Sequence, residues 1–132
     1  MTDVPHDDPT AILRRNLLEV FGERDPARRR AVIDELYVAD TRFAEAGGTV
    51  QGRDAVDAAV GRILDDVPPN FRFVVEAEPA VVDGLGRIGW GFGPPDGPPA
   101  VHGMDVATFR DGRIDRLWTF LDAPPQDGGG PG

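Results

Sequence analysis

Helical periodicity fills the first half of this chain and stops at Pro68-Pro69, after which the apolar residues fall in strand-like runs. Asp8-Pro9 supplies a cap and a proline at the first helical position, and Leu13, Leu17, Val20 and Phe21 follow at helical spacing until Gly22. Asp25-Pro26 repeats the start signal ahead of Val32 and Leu36. A third stripe follows Gly52, where Val56, Val60, Ile63, Leu64 and Val67 share one helical face. Between helices two and three, residues 41–45 and 49–51 flank Gly47-Gly48 and predict a short hairpin. Beyond Pro69, residues 71–78, 80–83, 87–92, 101–110 and 113–121 are β-rich runs separated by Gly, Pro and Asp. Asp111-Gly112 is a tight-turn signal that pairs the last two runs antiparallel, and the proline-rich stretch 93–99 is a stiff connection. Helices followed by a strand meander define an α+β fold, with the helices packed on one face of a curved sheet. Residues 9–122 read as one domain, between a loose leader at 1–8 and a flexible Pro/Gly-rich tail at 123–132.

What the composition lacks limits the chemistry. All 14 basic residues are arginine; lysine, serine and cysteine are absent from the 132 residues. Schiff-base lysines, serine or thiol nucleophiles, disulfides and cysteine zinc sites are therefore excluded. Carboxylates, six threonines, Tyr37, His6 and His102 remain. No His/carboxylate pair has metal-ligand spacing, so no metal site is expected. With 23 acidic residues and a net charge of −9, nucleic acid and anionic membranes are disfavoured as partners. The chain shows no long apolar run and no secretory leader, so a cytoplasmic location is expected.

A curved sheet covered by helices on one side encloses a conical space, where a polar group is costly. Asp105 is the clearest candidate to point there: it lies mid-strand in GMDVATF and shares its face with Ala107 and Phe109. Desolvation there raises its pKa, fitting it to act as a general acid or oxyanion donor; the alternative is a structural aspartate satisfied by backbone. A two-residue turn at Asp111-Gly112 pairs Arg110 with Arg113 and sets Trp118 opposite Asp105; a three-residue loop sets Leu117 there. Glu45 shares a strand face with Phe43 and lies at the floor or rim of the cone if Phe43 faces in; otherwise it is an ordinary hairpin glutamate. Tyr37, near the end of helix two, is a pocket hydroxyl or a core aromatic, and Trp90 in RIGWGFG is a ligand-stacking wall or a core tryptophan. His102 falls on the face opposite Asp105, His6 in the leader, and Asp40 at a cap or turn. Arg28-Arg29-Arg30 reads as a solvated helix face.

The three helices, the GRDAV start of helix three, the strand RIGWGFGPP and the segment HGMDVATFRDGRIDRLWTFLD together resemble the SnoaL-like polyketide cyclase and ketosteroid isomerase superfamily, also called nuclear transport factor 2-like. The resemblance spans nearly all of residues 8–122. It implies a cystatin-like cone in which a curved mixed sheet wraps the N-terminal helices around an internal pocket. By the same resemblance, Glu45 falls near the isomerases' proton-shuttling base and Asp105 at their oxyanion-hole aspartate, an arrangement for which the steroid isomerase is itself the standard example. Leu17 stands where the isomerases carry their helix-one tyrosine, which favours cyclase-like chemistry needing fewer polar partners. The expectation is a cofactor-independent isomerase or cyclase acting next to a carbonyl of an apolar small molecule. Asp105 and Glu45 are its catalytic pair, and Trp90, Tyr37, Trp118, Leu17 and Phe43 line its pocket. The alternatives are a non-catalytic binding module and an epoxide hydrolase or dehydratase, which requires an arginine among the carboxylates; Arg42 and Arg116 are the strand candidates. A homodimer through the outer sheet face, using Val106 and Leu117, is expected by the same analogy.

Overall fold

The computed structural model describes residues 8–122. The expected leader and tail, with His6, lie outside the described residues except for Asp8, which is the N-cap of the first helix. Its carboxylate accepts from the Ala11 amide at 2.9 Å. That helix, α1 (Pro9–Arg15), widens into a π-helical segment, Asn16–Phe21, that ends at Gly22. Leu17, Val20 and Phe21 are buried from this wider turn, together with Asn16. Helix α2 (Pro26–Leu36) starts at the Asp25 cap, and helix α3 (Arg53–Asp65) buries Val56, Ala59, Val60 and Leu64.

The strands are β1 (Tyr37–Glu45), β2 (Gly48–Gln51), β3 (Arg72–Val82), β4 (Leu85–Gly93), β5 (Val101–Arg110) and β6 (Arg113–Leu121). They form one mixed sheet in the order β2-β1-β6-β5-β4-β3, parallel only between β1 and β6. The helices pack on its concave face around a core that includes Leu13, Val20, Ile33, Val60, Ile88 and Ile114. This is the α+β cone expected from the order of the patterns.

Several local expectations are corrected. β3 is continuous through Pro79 instead of two strands, because register irregularities between Val75 and Ala80 absorb the proline's missing donor. Tyr37 opens β1 instead of ending helix two, and Asp40 lies within β1, where it pairs with Arg110. Arg29 leaves the solvated face: it is buried, with Nε donating to Asp57 at 2.7 Å and Nη1 to the Glu23 carbonyl at 2.9 Å. That bond joins α2 to α3.

The β5–β6 hairpin decides which side chains face inward. Asp111 and Gly112 both adopt positive φ (55° and 74°), a two-residue turn that pairs Arg110 with Arg113 as expected. Between Thr108 and Phe109 the register then shifts, because Asp115 is an extra residue on β6. Its carbonyl accepts from the buried Thr41 hydroxyl at 2.9 Å, so the bulge is satisfied from β1. One added residue reverses the parity of everything beyond it. Asp105 therefore opposes Thr119, neither Trp118 nor Leu117.

Candidate active site

Asp105 is 2% exposed in the middle of β5 and opens onto a cavity of about 440 Å³ between the sheet, the π-helical segment and α3. Two neutral donors hold it. The Thr119 hydroxyl reaches Oδ1 at 2.8 Å and the Trp90 indole N–H reaches the same Oδ1 at 3.1 Å. Oδ2 takes neither bond. Burial pushes the carboxyl up to about 6, while the bonds from Thr119 and Trp90 restrain the rise. Among the described residues no salt bridge reaches it.

Gly103 explains how Trp90 gets there. The two residues are cross-strand partners, and a Cβ on Gly103 would lie 2.4 Å from Trp90 Cζ2 and 2.7 Å from the Phe120 carbonyl oxygen. The missing side chain lets the indole lie against β5 and aim its N–H along the strand at Asp105. The glycine-x-aspartate pattern is thus a packing device for the carboxylate.

The cavity wall is mostly aromatic and aliphatic. Phe21, Phe43, Phe73, Trp90 and Phe92 contribute rings, and Leu17 comes from the π-helical segment. Phe73 stacks on Phe92 with centroids 4.1 Å apart and meets Trp90 edge-on at 5.3 Å. The remaining polar lining is Thr119, Glu45, Arg62 and Asp66. Glu45 is exposed, its Oε1 accepting from the Gly47 amide at 2.7 Å. It stands one residue beyond the Ala44–Trp118 pair, which places it beside Thr119. Glu45, Thr119 and Asp105 thus form one row across β1, β6 and β5, with the two carboxylates' backbones two strand spacings apart, about 10 Å.

The structure brings together five of the expected site residues: Asp105, Glu45, Trp90, Leu17 and Phe43. Two others fall elsewhere. Trp118 lies on the outer face, where the Arg116 guanidinium sits 5.2 Å from its ring centroid, because the Asp115 bulge inverts β6. Tyr37 is fully buried outside the cavity lining, its hydroxyl donating to Asn16 Oδ1. Burial, then the nearby charge of Asp105, pushes its phenol well above the usual range. The same inversion turns Leu117 inward, 1% exposed, so it is not part of an outer apolar face, whereas Val106 stays half-buried there. His102 is on the outer face as expected, its Nδ1 2.7 Å from Glu76. Neither Arg42 nor Arg116 lines the cavity. Among the described residues no group of three or more metal-ligating side chains exists.

Thr119, Arg62 and Asp66 were missed. Thr119 needed the bulge to be known. Arg62 and Asp66 sit four apart, each beside a residue of the α3 apolar stripe, and that spacing is a signal the sequence does carry.

A curved sheet closed by helices over a carboxylate-bearing apolar hollow defines a cone-shaped fold with an internal cavity. The profile of the SnoaL-like domain matches residues 15–117, and the chain belongs to that family. Among solved structures it is similar to a protein proposed to be a SnoaL-like isomerase from Agrobacterium tumefaciens, at 27% identity and TM-score 0.78, covering 86% of this chain and 96% of that one. It also resembles a proposed SnoaL-like polyketide cyclase from Jannaschia (22%, TM-score 0.62, covering 90% and 98%). A third similar structure is a ketosteroid isomerase-like protein from Catenulispora acidiphila in complex with trimethylamine (17%, TM-score 0.66, covering 86% of each). No curated protein matches the chain.

Proposed function

We propose that this protein is a cofactor-independent isomerase or cyclase that moves a proton next to a carbonyl of an apolar small molecule. One observation carries the reading: a buried carboxyl opens on an apolar cavity with both of its donors on one oxygen. Oδ1 is committed to accepting, so the acid form carries its proton on Oδ2. Asp105 then donates from Oδ2 to the substrate carbonyl oxygen. Glu45, farther along the same row, removes a proton from the adjacent carbon, and the pair of electrons released forms the enol. The enol O–H then gives its proton back to Asp105 as the carbonyl re-forms. With the Glu45 proton returned to another carbon the result is isomerisation; with the enol carbon attacking a second carbonyl, whose oxygen takes the Glu45 proton, the result is ring closure. The family membership and a similar fold that holds trimethylamine support a small-molecule role in general.

The test is proton–deuterium exchange at carbons next to the carbonyl in a panel of cyclic ketones and β-diketones, followed by NMR in D₂O. Exchange catalysed by the native protein and lost in Asp105→Asn supports the reading. Ligand binding without exchange would make the protein a binding module, a reading favoured by Leu17 lining the cavity where a hydroxyl would assist catalysis. An epoxide hydrolase has less support, because among the described residues the only arginine lining the cavity is the exposed Arg62.

We further propose a homodimer through the outer sheet face. Met104 and Phe120, which pair across the hairpin, are 36% and 56% exposed there, and Val106 and Trp118 pair next to them. Among the described residues no helix is long and apolar enough to cross a membrane, and a cytoplasmic location without nucleic-acid or membrane partners is part of the same proposal.

A further inference from the structure

Among the described residues Asp105 is a buried carboxylate without a positive partner. It is ionised over most of its population at pH 7 and above, since it titrates near 6. Two neutral donors hold one of its oxygens, and Oδ2 takes neither of those bonds. A lone charge out of water is costly, and the most effective relief is a cation that itself sheds little hydration. The walls around it are of the kind that receives such a cation, because the faces of aromatic rings attract alkylammonium groups while their apolar surface takes the alkyl substituents. Trp90 touches the carboxylate and meets Phe73 edge to face at 5.3 Å, and Phe21, Phe43 and Phe92 line the same cavity.

The charged groups around the cavity sum to a negative charge. Glu45 and Asp66 line it with one arginine, Arg62, so the lining is net negative even before Asp105 is counted. Tyr37, the other titratable group near Asp105, stays neutral, with its phenol pushed up and its hydroxyl bound to Asn16. The whole chain carries −9, which draws cations to the cavity and repels anions.

We infer that the cavity also binds small lipophilic ammonium ions, with the charge on Asp105 Oδ2 and the alkyl groups against the aromatic walls. This goes beyond the carbonyl chemistry proposed above and shares with it only the premise that small molecules enter the cone. The two uses need opposite forms of Asp105: the acid form donates to a carbonyl, and the ionised form holds a cation.

The experiment is calorimetric titration of the full chain at pH 8 with choline, with its uncharged isostere 3,3-dimethylbutan-1-ol, and with the anion 3,3-dimethylbutanoate. Choline is expected to bind at least about tenfold more tightly than the isostere, with the anion weakest. The preference is expected to vanish in Asp105→Asn, and also in the native protein below pH 5. The native pH series answers the question even if the variant does not fold. Equal binding of choline and the isostere at pH 8, or no binding of either, would overturn the inference. So would a preference that persists in folded Asp105→Asn or below pH 5, because the charge would then come from Glu45 and Asp66. None of these outcomes alters the carbon-bound proton exchange that tests the catalytic reading.

Discussion

Asp105 is the residue whose position costs the fold something. Its carboxyl holds a proton more tightly when folded than when unfolded, rising from 3.8 to about 6. Stability from the protonated form is thus complete below about pH 4 and is lost as the pH rises through 6, a cost of about 3 kcal/mol. Asp105→Asn keeps an acceptor for both donors and removes that cost. Relative to the native protein, the variant is expected to gain up to about 3 kcal/mol in urea unfolding at pH 8 and to lose that advantage toward pH 4. A constant difference across this range would show that Asp105 is not desolvated. The sign of the pH–rate profile separates the roles of the two carboxylates: with Asp105 as the acid, kcat/KM falls about tenfold per unit above pH 6, whereas a rise through 6 would make it the base. Asp105 was legible because a charge inside an apolar strand needs an explanation. Tyr37 was not, since it sits at a helix–strand boundary where one residue decides which way a ring points.

At the scale of elements, β6 determines the site. Nothing in RIDRLWTFLD marks Asp115 as an extra residue; the bulge exists because the Thr41 hydroxyl on β1 takes its carbonyl. Hairpin arithmetic from the turn alone therefore placed Trp118 inside and Leu117 outside, and both are reversed. Thr41→Val leaves that carbonyl without its partner and is expected to lower stability by about 1–2 kcal/mol, with loss of cavity binding if the register slips. Full stability with unchanged ligand binding would show that the bulge is held by other means. On β5, Gly103→Ala drives a methyl into the indole and is expected to cost about 1–3 kcal/mol and to shift the Trp90 fluorescence. Arg29→Met opens the bond between α2 and α3 and should cost about 3 kcal/mol, read by chemical unfolding. The arginine run concealed this role because a sequence shows three adjacent charges, not which of them turns inward.

For the molecule as a whole, the order of the patterns was enough to reach the cone: three helices, a proline stop and a meander leave few other ways to bury the apolar faces. The size of the hollow was not legible, since it depends on how Leu17, Phe43 and Trp90 pack and not on how they are spaced. The outer face is the second feature at this scale. If Met104, Phe120, Val106 and Trp118 meet a second copy, Phe120→Asp is expected to convert a dimer to a monomer in light scattering while the cavity still binds ligand. A native protein that is monomeric at 100-fold dilution and at high concentration alike would remove the dimer from the account.

Everything proposed for the cavity depends on a carboxyl that titrates close to neutrality inside it. The direct measurement is a carbon-13 NMR titration of the Asp105 side-chain carboxyl in the intact chain. The account predicts a midpoint near 6 that rises further in Trp90→Phe and Thr119→Val, as each donor to Oδ1 is removed. A midpoint below 4, indifferent to both substitutions, would contradict it.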